Sequence, residues 1–234
     1  MLNLSILTQP DCISCGPTCL QAIYHYFEDK INLEQVIKEV PYLESGGTLA
    51  ILLGCHALSR GYQADLYSFN LHVLDPTWFK KKSVLIREKL YEQLNHASHQ
   101  KMHLTTQAYL QFLDLGGRIH FSEMNFDLIR QQVDQNTPLI SGLSATYLYQ
   151  TMRDYTNKED RVVYDEWLGA PSGHFVVIRG YEANPNTLHI ADPYSPHPLS
   201  REHYYSISFS HWLHAFLLGI MTYDAELLVI KPAV

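Results

Sequence analysis

QPDCISCGPTCLQ, residues 9–21, reads as a turn running into the start of a helix, with cysteines at 12, 15 and 19. Leu20, Ile23, Tyr24 and Phe27 follow at helical spacing, so the helix should bury one face and carry Cys15 exposed at its tip. That position suits a thiol nucleophile. A free thiol is mostly protonated at neutral pH, and the unpaired N–H groups and dipole of a first helical turn favour the anion. Gly16 leaves room for a substrate backbone, and Pro17 fits a first turn because its missing N–H is no loss there. Gln9 stands six residues before Cys15, where its side-chain amide can donate to an oxyanion together with the backbone N–H of Cys15.

Two downstream segments supply matching chemistry. Gly173-His174-Phe175-Val176-Val177-Ile178 reads as a buried strand led by a histidine, and Leu188-His189-Ile190-Ala191-Asp192 as the next strand, ending in an aspartate. Such a histidine can take a thiol proton, and such an aspartate can hold the imidazole and stabilise its charged form. Gln9, Cys15, His174 and Asp192, in that order, resemble the papain-like cysteine peptidases. The Cys-Gly-Pro-Thr-Cys-Leu string near the N-terminus looks most like the bacteriocin-processing, double-glycine leader peptidases and their stand-alone relatives.

The resemblance implies an α+β, papain-like fold in one domain spanning 1–234. A helical N-terminal lobe, about residues 1–135, would pack on an antiparallel sheet lobe, about residues 136–234, with a cleft between them. It also implies catalytic Cys15, His174, Asp192 and Gln9, no cofactor and no metal, and a peptide or protein substrate cut at an amide or isopeptide bond through a thioester. The family's leader peptidases are usually fused to a transporter and often carry an acidic residue directly before the nucleophile. This sequence holds no transporter and places Ile13-Ser14 before Cys15, which points away from double-glycine leaders. Two other outcomes share the residues: an acyl or dipeptidyl transferase, as in phytochelatin-synthase-like relatives of the fold, and a non-catalytic binding module that retains it.

Composition sets bounds. With 46% hydrophobic and 18% charged residues, the chain has the make-up of a globular protein with a sizeable core. A net charge of −7 argues against nucleic acid as a partner, and Lys80-Lys81-Lys82 reads as a solvated loop. No stretch approaches the roughly 20 apolar residues of a membrane span. MLNLSILTQP has neither the basic region nor the apolar run of a signal peptide, so a cytoplasmic protein is expected, with signal-less secretion left open.

Three of the four cysteines crowd into residues 12–19, which suits reactive chemistry better than a disulfide framework. Cys19 and Cys55 read as core thiols. Cys12-x-x-Cys15 also fits a reversible disulfide that would cap the nucleophile. Zinc held by Cys12, Cys15 and Cys19 lacks the usual second ligand pair, and His96, His99 and His103 share a helical face without one.

Helices are expected at 16–28, from Asn32 to near Pro41, and at 49–60, 84–97, 104–114, 125–134 and 209–218. Strands are expected at 62–69, 118–121, 138–143, 174–181, 187–191, 203–208 and 226–231. Residues 144–172, rich in tyrosine and charge and adjoining His174, read as a lid or recognition segment, with Tyr147, Tyr149, Arg153, Tyr155 and Trp167 as its contacts.

Overall fold

The structure, a computed structural model, describes residues 1–43, 46–80, 85–96, 100–159 and 161–233. Lys81, Lys82 and His99 lie outside the described residues. In chain order the elements are α1 (Cys15–Tyr26), α2 (Leu33–Glu39), α3 (Ala50–Ser59), β1 (Tyr62–Ser68), α4 (Ile86–Leu94), α5 (Gln100–Asp114), β2 (Arg118–His120) and α6 (Phe126–Asp134). There follow β3 (Leu139–Ser144), α7 (Ala145–Tyr149), β4 (Asp154–Thr156), β5 (Val162–Tyr164), β6 (Gly173–Ala183), β7 (Asn186–Ala191), β8 (Tyr204–Ser208), α8 (Phe209–Leu218) and β9 (Glu226–Pro232). Helix starts follow the side-chain chemistry. Asn32, Asn125 and Ser208 each accept a hydrogen bond from a backbone N–H of the first turn of α2, α6 and α8, satisfying a donor the helix itself leaves unpaired.

Among the described residues, seven strands form one sheet in the order β2-β1-β9-β3-β6-β7-β8, and only the β1–β2 pair is parallel. Alternate residues of its central strands face opposite sides. Ile140, Phe175, Val177, Leu228 and Ile230 join a core with Leu20 and Ile23 of α1, Leu53 of α3 and Phe112 of α5. Their neighbours Leu139, Val176, Ile178, Leu227 and Val229 join a second core with Trp212 and Phe216 of α8. Burying each large apolar side chain contributes roughly 1.5–3 kcal/mol, so the two faces together hold the sheet between helices.

The division between lobes is less strict than the sequence implies. β1 and β2 come from the helix-rich half and enter the sheet because β9, apolar on both faces from Leu227 to Ile230, lies between β1 and β3. The first nine residues also cross over: Leu2, Leu4 and Ile6 are buried while Met1, Asn3 and Ser5 are exposed. Leu2 N–H donates to the Arg179 carbonyl at 2.7 Å, and Gln9 N–H to that of Pro193 at 2.9 Å. Among the described residues, no helix is long and apolar enough to cross a membrane.

Candidate active site

Cys15 opens α1 and His174 is the second residue of β6, and a neighbouring bond fixes the distance between those elements. One turn beyond Cys15, the Cys19 thiol donates to the carbonyl of Phe175, the residue after His174, at 3.3 Å. Burial, then the nearby Cys15 and Asp192, push the Cys19 thiol well up, which keeps it a donor. At this level Cys15 and His174 line the same cleft, and Cys15 is among the groups that raise the pKa of His174. No side chain caps the N-terminus of α1, so nothing competes for its leading N–H groups.

Cys15 is not exposed at the helix tip as the sequence suggests; it is only 9% exposed, and α1 is buried continuously from Cys15 to Tyr24. Gly16 also has another purpose than leaving room for substrate. A Cβ there would lie 2.7 Å from Thr48 Cγ2 and 3.3 Å from both Leu53 and Phe175, so the missing side chain lets α1 settle on α3 and β6.

Asp192 follows directly on β7. The β6–β7 hairpin pairs Val177 with Ala191, which returns the end of β7 to the beginning of β6. His174 Nε2 donates to Asp192 Oδ1 at 2.8 Å, leaving Nδ1 for Cys15. The carboxylate is fully buried and receives three more hydrogen bonds: Tyr194 N–H on Oδ1 at 2.9 Å, and the hydroxyls of Tyr149 and Tyr205 on Oδ2, both at 2.8 Å. Burial alone would raise its pKa, but the His174 charge and these bonds outweigh burial and hold it below the usual carboxylate range. For His174, burial works to lower the pKa, and the Asp192 charge and hydrogen bond, reinforced by Cys15, overcome it and lift the imidazole to about 10.

Gln9 reaches the same place from the N-terminal segment and, with His174, Tyr149 and Tyr194, lines a pocket of about 320 Å³. One of its amide protons goes to the Asp11 carbonyl at 2.7 Å. A primary amide has a second to give. A larger cleft of about 490 Å³ adjoins Cys15, Thr48, His174 and Asp224. Gly46 and Gly47, at φ +86° and +73°, form its rim in a backbone conformation that favours glycine.

Residues 144–172 border the site through Tyr149, one of the side chains singled out from the sequence, and through others that were not. Asp154, Val162 and Tyr164 of the β4–β5 ribbon line the smaller pocket, and Tyr149 serves Asp192. Tyr147 packs on His211 with ring centres 5.3 Å apart, and Trp167 is 82% exposed. Cys12 is exposed and Cys55 buried, and all four thiols are free. Among the described residues, no group of three His, Cys, Asp or Glu side chains is placed to hold a metal ion. His189 turns away to Ser206 and Glu182. Sequence reasoning missed Tyr205, Tyr194 N–H and Asp224. Nothing local marks them, because each acts through a partner distant in the chain or through its backbone.

A profile of the Peptidase_C39 like family matches residues 1–216. Among solved structures, a Bacillus anthracis protein described as a C39-like peptidase superposes with a TM-score of 0.50 at 12% identity, covering 100% of this chain and 96% of its own. Xylellain, a cysteine protease from Xylella fastidiosa, gives a TM-score of 0.42 at 13% identity over 100% of this chain and 85% of its own. No curated protein matches the sequence. The first of these likenesses bears on the fold, and the sheet and helices described above are those of a papain-like α+β protein. By the profile match across nearly its whole length, the chain belongs to the Peptidase_C39 like family of cysteine peptidase-like proteins.

Proposed function

We propose that the protein is a thiol hydrolase that cuts a peptide or isopeptide bond in a peptide or protein substrate. Cys15 is its nucleophile, His174 its proton carrier, Asp192 the group that orients His174, and Gln9 with the Cys15 N–H its oxyanion donors. The observation that carries this reading is the His174–Asp192 bond of 2.8 Å on one ring nitrogen, with Cys15 lining the same cleft as the imidazole.

The Cys15 thiol passes its proton to His174 Nδ1, and the raised proton affinity of the imidazole favours that transfer. The sulfur attacks the amide carbon, and the carbonyl electron pair moves onto oxygen, facing the Cys15 N–H and the Gln9 amide. As the tetrahedral adduct collapses, His174 returns the proton to the departing amine and a thioester remains. Water then gives a proton to His174 as its oxygen attacks the thioester. The C–S bond breaks, the acid leaves, and the sulfur recovers its proton.

The test is the alkylation rate of Cys15 by iodoacetamide across pH 4 to 9, read by mass spectrometry in the wild type and in His174→Ala. Alkylation that stays fast on the acid side, and loses that acid-side rate in the variant, supports a Cys–His pair; a substrate screen with and without added amines then separates hydrolase from transferase. Slow acid-side alkylation in both proteins overturns the reading.

A further inference from the structure

The cleft beside Cys15 contains an acid that the proposed chemistry does not use. Asp224 is 7% exposed, just ahead of β9, and borders the same cleft of about 490 Å³ as Cys15, Lys101 and His174. Its carboxyl lies against Gly173, so close that a Cβ there would stand 1.9 Å from Oδ2. Gly173 therefore gives up its side chain to this carboxyl.

A carboxyl this far from water needs either a proton or a cation. Two cations lie within reach of its field, Lys101 from α5 and His174 from β6. Neither forms an ion pair with it among the described residues. Lys101 Nζ sits over the Tyr223 ring, 4.1 Å from its centre, and His174 Nε2 is committed to Asp192. Burial therefore prevails. With the like charge of Glu226 it lifts the carboxyl to about 7, against a hydrogen bond from Thr222 and the pull of Lys101 and His174. An arriving ammonium or guanidinium would replace the proton and supply the missing partner, whereas an apolar side chain would leave the acid as it stands. The Gly46–Gly47 rim brings no side chain into the path of a long aliphatic stem.

We propose that Asp224 sets the specificity of the cleft by receiving a lysine or arginine side chain of the peptide substrate, an inference that rests on Cys15 being the nucleophile. The probes are tripeptidyl chloromethyl ketones, from which the Cys15 sulfur displaces chloride to form a thioether. They carry lysine, norleucine or glutamate at each of the three positions in turn, and the readout is the second-order rate of Cys15 labelling by intact mass.

At one position the lysine probe should label about tenfold or more faster than norleucine, the size of a charge-assisted hydrogen bond, with glutamate slowest. Asp224→Asn should bring the lysine-to-norleucine ratio at that position to within about twofold of unity. If that variant fails to fold, the wild-type ratio decides. It should grow as pH rises through about 7, where Asp224 ionises, while any change in the reactivity of the sulfur affects both probes alike and cancels. Lys101, His174, Thr222 and Glu226 are the groups around Asp224, and Glu226 contributes a field of the same sign.

Equal lysine and norleucine rates at all three positions, a lysine preference that survives Asp224→Asn, or a preference for glutamate through Lys101 each overturn the inference. Failure of every probe to label Cys15 is a separate outcome, which overturns the nucleophile itself and this inference with it.

Discussion

The Tyr205 hydroxyl donates to Oδ2 of Asp192 at 2.8 Å, on the oxygen that His174 does not use. Tyr205→Phe removes one hydrogen bond to a buried carboxylate, a loss of about 1.5–3 kcal/mol. Asp192 is held below its ordinary value in the folded protein, so its contribution is present above the unfolded carboxyl pKa and is lost as pH falls through the folded one. The variant should begin acid unfolding at a higher pH than the wild type. Thermal melts between pH 3 and 7 read this directly, and superimposable acid limbs would show that Tyr149 alone suffices.

Gly16→Ala should destabilise by about 1–3 kcal/mol, because the added methyl meets Thr48, Leu53 and Phe175 rather than open cleft. Urea unfolding measures it. A variant of wild-type stability whose peptide affinity is weakened would instead place the methyl against substrate.

Gln9→Ala should lower turnover by roughly 10²–10³, with little change in KM, since an oxyanion donor acts in the transition state. Steady-state kinetics on any peptide found in the substrate screen tests this. An unchanged kcat would reduce Gln9 to its bond with Asp11.

Glu226→Gln should flatten the dependence of stability on pH between the unfolded carboxyl pKa and about 7. Glu226 is buried, and burial lifts it to about 7 despite hydrogen bonds from Tyr109 and Ser68. The folded protein thus binds the proton more tightly than the unfolded chain. The stabilisation is complete below the unfolded pKa and is lost as pH rises toward 7, a change on the order of 3 kcal/mol. Urea midpoints at pH 5 and pH 8 should differ in the wild type and converge in the variant. Equal separation in both proteins would move the effect to another group, Asp224 foremost.

Much of the fold is written locally. α8 spans the residues its apolar periodicity marks, and β1, β3, β6, β7, β8 and β9 fall within a residue or two of their hydrophobic runs. α7 and the β4–β5 ribbon were not legible, because three to five residues give no period to read and their pairing depends on the sheet beside them. The structure brings Asp192 into a bond with His174, and His174 lines both the cleft that holds Cys15 and the pocket that holds Gln9. The burial of Cys15 could not be foreseen, since residues that share its cleft, Gly46 to Thr48, lie about thirty residues away in sequence. Tyr205 escaped notice for a like reason: its neighbour across the sheet is Ile190, and only the turn after β7 brings the carboxylate to it.

The opening nine residues are stitched to β6 at Arg179 and to the turn after Asp192 at Pro193, with Leu2, Leu4 and Ile6 sunk between. Gln9 hangs at the end of that thread. The segment so fastened lets the sheet-rich half, through Arg179 and Pro193, decide where a side chain from the far end of the sequence stands beside His174.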